Sequence, residues 1–415
     1  MKDVRQGKVF VYTRVLPFQT GSGAQVRVYT NIRAYCDLNY DVEVIKFNDP
    51  EEPDLKEIAG LKVKIRSVSI QPHQPSIWTR LGYFLGFPTA AVLDYLYPIR
   101  KQVQKELIKN QKRNPDAIHH FEYLDLACAV VGIDKFGSVW SNHDLDSQRF
   151  NHMHSMRKAK VGGKSEWRKA IQLNRIKLAE RVTSEKSKLV LTIAEHETAA
   201  FKQAYGEDKF HLLPMSCPDE NLVSRKRPLG DDGVLRFLHL GSVDGFIGYD
   251  SIKFILNEVF PLLPPDVIDS LEMWVVGRVG ESPYSHEIIE LSTKYPFVKF
   301  TGFVDDLKSI YSQVDLQLVG GTRASGLRTR IVESMVFGVP VLSTVEMAKG
   351  LYQLRDKGNI FLAADAREFA NEIIAILNNP DWLPKVATAA RETYEEFYSR
   401  KVEAETLAYH LKQYL

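Results

Sequence analysis

The chain has 415 residues, 44% hydrophobic and 26% charged, with a formal net charge of +2. That length exceeds what one core usually serves, so two domains of a soluble globular protein are expected, and the balanced charge argues against a nucleic-acid binder. Cys36, Cys128 and Cys217 are far apart, which fits a reducing compartment and gives no disulfide or metal framework.

The polar start leads directly into a strand at residues 9–12, so no signal peptide is expected. Gly21-Ser-Gly23 then opens a helix over residues 24–36, and residues 41–45 alternate as a second strand. Glycines there let backbone approach a ligand closely, although Val26 stands where a dinucleotide fingerprint would need its third glycine. The apolar stretch 77–96 is interrupted by Arg80, Pro88 and Asp94, so it is not expected to span a bilayer. A cytoplasmic protein is the expectation.

Strands are next expected at 117–120, 138–140 and 189–193, each followed by helical patterning. The first ends in His119-His120-Phe-Glu122. A period of two sets His119 and Phe121 on one face and His120 and Glu122 on the other, so one histidine can face a substrate while a hydrogen-bonded structural role is the alternative. Ser141-Asn-His143-Asp144-Leu-Asp146 follows the second of these strands and offers a histidine and two carboxylates. Its spacing matches no standard zinc site. It reads either as an acceptor loop in which His143 or Asp144 orients a hydroxyl, or as a solvated loop. Residues 149–181 are strongly basic, with only Glu166 and Glu180 as acids. Such a run suits an anionic membrane surface or a pyrophosphate-linked acceptor, and equally a solvated helix face.

The second half repeats the alternation more cleanly. Strands are expected at 235–240, 273–276, 298–301, 315–319, 339–343 and 360–363, with a well-defined helix at 366–377. Strand–helix alternation implies parallel sheets covered on both faces, with ligands at the carboxyl ends of the strands. The expected division is an N-terminal domain over 1–215, a second over 216–385, and a helical segment 386–415 that crosses back to the first.

The most informative run is Ser325-Gly-Leu-Arg-Thr-Arg-Ile-Val-Glu333, followed by Gly338-Val-Pro340-Val. A small-residue loop with Arg328 and Arg330 meets a helix start, where unpaired N–H groups and the helix dipole stabilise an anion such as a diphosphate. Glu333, one turn further, could accept hydrogen bonds from a ribose. Gly338 can end the helix in a left-handed conformation, and Pro340 prevents its continuation.

This run resembles the nucleotide-sugar signature of GT-B glycosyltransferases, particularly the retaining glycosyltransferase family 4. The resemblance extends to Phe237-Leu-His-Leu-Gly241, Trp274-Val-Val-Gly277 and Phe300-Thr-Gly-Phe-Val-Asp-Asp-Leu307. Many members carry two glutamates separated by seven residues; here the second matches Glu333 and the first falls on Ser325. The resemblance implies an α/β protein of two facing Rossmann-like doubly wound domains. It implies a sugar-nucleotide donor held by Gly241, Ser325, Gly326, Leu327 and Glu333. Relatives often have an Arg and a Lys shortly after the glycine matching Gly241, and residues 241–248 have neither. Charge neutralisation then falls to Arg278, Arg323, Arg328 or Arg330. The loop at Gly21 and Gly23 would close over the donor, and His120 or His119 would contact its sugar as the catalytic histidine. The resemblance implies retention. The basic run and the aromatic segment 78–97 add the expectation of a saccharide or lipid-linked saccharide acceptor and of contact at the inner face of the membrane, and no metal is expected. A GT-B sugar-nucleotide epimerase and a non-catalytic sugar-nucleotide-binding protein are the alternatives.

Overall fold

The computed structural model describes residues 6–19, 21–49, 56–71, 74–133, 136–151, 166–206, 208–223, 233–322 and 326–415. They form two compact units: Met1–Pro218 with Glu403–Leu415, and Asp219–Val402.

The first unit is built on seven parallel strands: β1 (Lys8–Thr13), β2 (Asp41–Asn48), β3 (Lys64–Ser69), β4 (Ile118–Glu122), β5 (Gly137–Asn142), β6 (Leu189–Thr192) and β7 (Phe210–Leu212). Their order is β3-β2-β1-β4-β5-β6-β7. The central strands are buried on both faces, which is why Val9, Phe10, Val11 and Tyr12 form an unbroken apolar run. Chain direction across the sheet reverses between β1 and β4, the switch point beside which doubly wound sheets bind ligands.

In the second unit six parallel strands repeat the pattern: β8 (Leu235–Leu240), β9 (Leu271–Val276), β10 (Val298–Gly302), β11 (Leu316–Val319), β12 (Val341–Thr344) and β13 (Phe361–Ala363). The order β10-β9-β8-β11-β12-β13 puts the switch between β8 and β11. Phe237, Ile252, Met273, Leu318, Phe361 and Phe369 are central to its core.

Most strands and the helix Ala366–Asn378 fall where the sequence places them. Two were not expected. β3 is a half-buried edge strand without an apolar run, and β7 has only three residues. The apolar stretch 77–96 folds as two short helices, Ile77–Leu85 and Thr89–Leu96, crossing closely enough that a Cβ on Gly82 would meet that of Ala91 at 2.6 Å.

The segment 386–415 is not one piece. Helix Trp382–Phe397 lies in the second unit, where Arg391 donates to the carbonyls of Glu220 and Val336 at 2.9 and 2.8 Å. Residues from Glu403 onward belong to the first. No helix of the described residues is long and apolar enough to cross a membrane.

Candidate functional site

In the second unit the signature run folds as a helix over Thr329–Phe337, with Arg328 at its N-cap and Gly338 closing it at φ 70°. Arg323 and Ser325 lie outside the described residues. Gly326 has φ 66° and Leu327 is buried. The half-buried Arg330 reaches back to the switch point, where its Nη1 donates to the carbonyl of Leu240, the last residue of β8, at 2.8 Å. The next residue, Gly241, has φ 143°, and a Cβ there would lie 3.4 Å from Arg330 Nη1. Gly277 repeats that conformation at the end of β9, and a Cβ on it would meet Gly241 O at 2.4 Å. Gly277 is therefore required by backbone packing and Gly241 by its positive φ, and they leave a small-residue surface beside a guanidinium. Arg278 is exposed, and its carbonyl accepts from the amide of Val243.

Electrostatics mark the same helix. Burial lowers the Arg330 guanidinium to about 9, and the neighbouring Arg328 adds to that. Two like charges held near one helix N-terminus favour an incoming anion. Burial pushes Glu333 up to about 7, and no hydrogen bond or ion pair joins it to a described residue. Asp244, in the loop after β8, is instead committed to Ser285 Oγ at 2.6 Å.

The first unit carries a polar network set by matching repeats. Four residues of helix rise about 6 Å and two residues of strand about 6.6 Å, so i, i+4 on a helix meets i, i+2 on a strand. Accordingly, helix Gly23–Asp37 places Tyr35 on His120 and Asn31 on Glu122. The Tyr35 hydroxyl and His120 Nδ1 are 3.0 Å apart, and Asn31 Nδ2 donates to Glu122 Oε1 at 2.8 Å. Glu122 also holds His120 Nε2 at 3.0 Å and His143 Nε2 at 3.1 Å. Burial alone would raise the Glu122 carboxyl, but His120 and His143 outweigh it and hold the group well below the usual carboxylate range.

Sequence reasoning expected one of His119 and His120 to face a substrate, and both are fully buried. His119 bridges the Tyr12 hydroxyl at 2.9 Å and Gln111 Oε1 at 2.8 Å, and burial lowers its pKa to about 3. His120 has both ring nitrogens engaged by Tyr35 and Glu122. His143, just past β5, is the histidine that Glu122 orients through one nitrogen alone, with its ring tilted on Tyr123 at 4.1 Å. The sequence singled out His143 but gave no sign of its tie to Glu122, which is 21 positions away.

Gly21 and Gly23 serve a helix cap. Ser22 and Gln25 form a reciprocal capping box, and Gly21 has φ 138°, a conformation that favours glycine. The half-buried Asp144 gives its carbonyl to Asn142 Nδ2. Asp146 pairs with Arg149 at 2.6 Å, and burial raises it to about 7. Together with Tyr97, Phe150 and Gln172 this pair lines a cavity of about 300 Å³. Among the described residues no three His, Cys, Asp or Glu side chains are grouped as a metal ion would need.

Comparison with known proteins completes the picture. Residues 235–379 match the family model described as Glycosyl transferases group 1. No curated protein sequence matches the chain. Sucrose-phosphate synthase from Thermosynechococcus elongatus is similar in structure, with a TM-score of 0.72 at 16% identity over 98% of this chain and 99% of that one. HepE from Anabaena, solved in complex with UDP, gives 0.67 at 16% identity over 98% and 100%. WaaG, a glycosyltransferase involved in lipopolysaccharide biosynthesis, gives 0.62 at 16% over 97% and 98%. At such identities these likenesses establish the fold, which is GT-B.

Proposed function

We propose that this chain, which matches the Glycosyl transferases group 1 model at residues 235–379 and has a GT-B fold, is a glycosyltransferase that moves a sugar from a sugar nucleotide to a saccharide or lipid-linked acceptor with retention. In this reading the C1–O bond to the diphosphate breaks, the nucleoside diphosphate leaves with the electron pair, and an acceptor hydroxyl attacks C1 from the face being vacated. Its proton passes to the departing phosphate oxygen. The acceptor side is assigned to the first unit, at His143, Asp144 and the cavity beside Asp146, and the product class to surface polysaccharide.

The observation that carries the reading is the helix Thr329–Phe337, whose N-terminus, Arg330 and the glycine surface at Gly241 converge on one switch point. Fixed cations and N–H donors stabilise the charge that develops on a leaving diphosphate without reorganising. HepE was solved with UDP-glucose as well as with UDP, so uridine diphosphate sugars are the first donors to try. Incubation with sugar nucleotides alone tests the class. Slow hydrolysis, accelerated by an acceptor, is expected; epimerised product or binding without turnover would overturn it.

Glu333 is assigned to the donor ribose. Glu333→Ala is expected to weaken nucleotide binding by about 1–3 kcal/mol, the range for losing hydrogen bonds to a charged group. Its titration gives a second readout. Ribose hydroxyls favour the ionised carboxylate, and the free group titrates at about 7. Nucleoside affinity should therefore rise from pH 6 to pH 8 in the wild type and stay flat in Glu333→Gln, as calorimetry with an unphosphorylated nucleoside would show. A flat wild-type profile places the ribose elsewhere.

Arg330 is assigned to the diphosphate. Arg330→Ala should weaken nucleoside diphosphate binding far more than nucleoside binding, and more than Arg328→Ala does. Small, equal losses in both variants would move phosphate recognition to Arg278 or Arg323.

A further inference from the structure

Helix Ile77–Leu85 is amphipathic in the wrong sense for a soluble surface. Ile77, Trp78, Leu81, Phe84 and Leu85 follow the i, i+1, i+4, i+7, i+8 spacing of one helical stripe, which in globular proteins normally faces the core. Here the stripe faces outward: Ile77 is 77% exposed and Trp78 76%, and Phe87 extends the face at 67%. The opposite face is the packed one, with Gly82 and Tyr83 buried, Gly82 against Ala91, and Tyr83 stacked on Tyr95 at 4.2 Å.

The hairpin is fixed in that orientation. Ser76 caps the first helix, Gly86 ends it at φ 86°, and Arg175 of helix Glu166–Lys186 donates to the carbonyls of Tyr83 and Phe84 at 2.8 and 2.9 Å. No acidic residue occurs from Gln74 to Leu93, and Asp94 is buried against Arg100 and Lys101. Arg80 is exposed on the hairpin, and two turns before Arg175 the clamping helix presents exposed Trp167 and Arg168 with Lys169.

We propose that this outward apolar stripe, with exposed Arg80 beside it, inserts into the interfacial layer of an anionic bilayer and seats the protein there. Nine helical residues span roughly 14 Å, too short to cross a bilayer and suited to lying in its surface. Charge decides the occupant: a bilayer of anionic lipids satisfies both the apolar face and exposed Arg80, no acidic residue from Gln74 to Leu93 opposes it, and salt screens the attraction. The proposal deepens the membrane-side part of the function proposed above and rests on that reading for the lipid-linked acceptor alone.

The test is co-sedimentation of the full chain with vesicles of phosphatidylcholine, with and without phosphatidylglycerol, at low and high salt. Wild-type protein is expected to bind the anionic vesicles at low salt, with a blue-shifted tryptophan emission lost in Trp78→Phe. Trp78→Glu with Phe84→Glu should cut partitioning about tenfold or more, since both lose apolar burial and repel anionic lipid. Both side chains are exposed, so folding is checked simply by circular dichroism. Wild-type indifference to anionic vesicles, or equal binding by the double variant, overturns the proposal. So does a dimer in sedimentation velocity that Trp78→Glu dissolves while vesicles are ignored, which assigns the face to a second copy. Titrating the same samples with nucleoside diphosphates separates the two readings: retained nucleotide binding leaves the donor site standing when vesicle binding fails.

Discussion

Replacing Glu403 with Leu is expected to destabilise the first unit by about 3–5 kcal/mol, the range for removing one partner of a buried ion pair. Glu403 is buried between two buried guanidinium groups. Its Oε1 accepts from Arg27 Nη1 at 3.2 Å, its Oε2 from the Ser216 hydroxyl, and Arg33 Nη2 lies at 3.9 Å. The remaining acceptors are the Ser216 hydroxyl oxygen, which accepts from Arg33 Nη2 at 2.5 Å, and the carbonyls of Leu213, Pro214, Cys217 and Pro218. Without the carboxylate two cations stay buried with only neutral dipoles, those of the carbonyls and the Ser216 hydroxyl, and burial already lowers Arg27 while Glu403 holds it up. Hydrogen exchange at amides 403–415 and denaturant unfolding give the measurement. A second variant tests the cause: Arg27→Met, Arg33→Met and Glu403→Leu together should recover much of the loss, because an apolar replacement of a whole buried cluster is often near neutral. If the triple variant is as unstable as Glu403→Leu, packing of the last helix, and not charge, is the larger contribution.

That cluster shows where sequence reading stops. Strand β1 was legible because burial on both faces leaves a continuous apolar run, β2 because it alternates, and the signature helix because Gly338 and Pro340 punctuate its end. Arg27, Ser216 and Glu403 carry no such mark, since their partners are 187 and 376 positions apart along the chain. The partners of the β4 histidines were illegible for the same reason. Strand alternation correctly separated His119 from His120, but Gln111, Tyr12 and Tyr35, which occupy their ring nitrogens, are contributed by other elements. Composition has a further blind side: the stretch 77–96 was visible as apolar, while the outward facing of its first helix depends on Gly82 and Arg175.

The other large effect is expected at Glu122. This carboxylate is fully buried and accepts from Asn31, His120 and His143 at once, so Glu122→Ala leaves three donors without their acceptor. At about 1–3 kcal/mol for each unsatisfied buried group, and with partial relaxation, a loss of about 3–5 kcal/mol is expected at pH 7. Glu122→Gln keeps the volume but turns an amide NH₂ toward donors, so it should recover little. The pH dependence has a definite sign. The folded pKa lies below the unfolded value, so Glu122 contributes fully above the ordinary carboxylate range and loses its contribution as pH falls through the folded pKa. The stability gap between wild type and Glu122→Ala should hold from pH 7 to about pH 5 and narrow toward pH 3. Hydrogen exchange on β4 and β5 reads it within the first unit, and a gap that widens in acid contradicts an ionised Glu122. Function supplies the complementary readout. Glu122 fixes the ring of His143, so Glu122→Gln should lower kcat while donor Kd, set in the second unit, stays near the wild-type value. A matched fall in donor affinity would make Glu122 a stability residue alone, and His143 would lose its assigned part in the transfer.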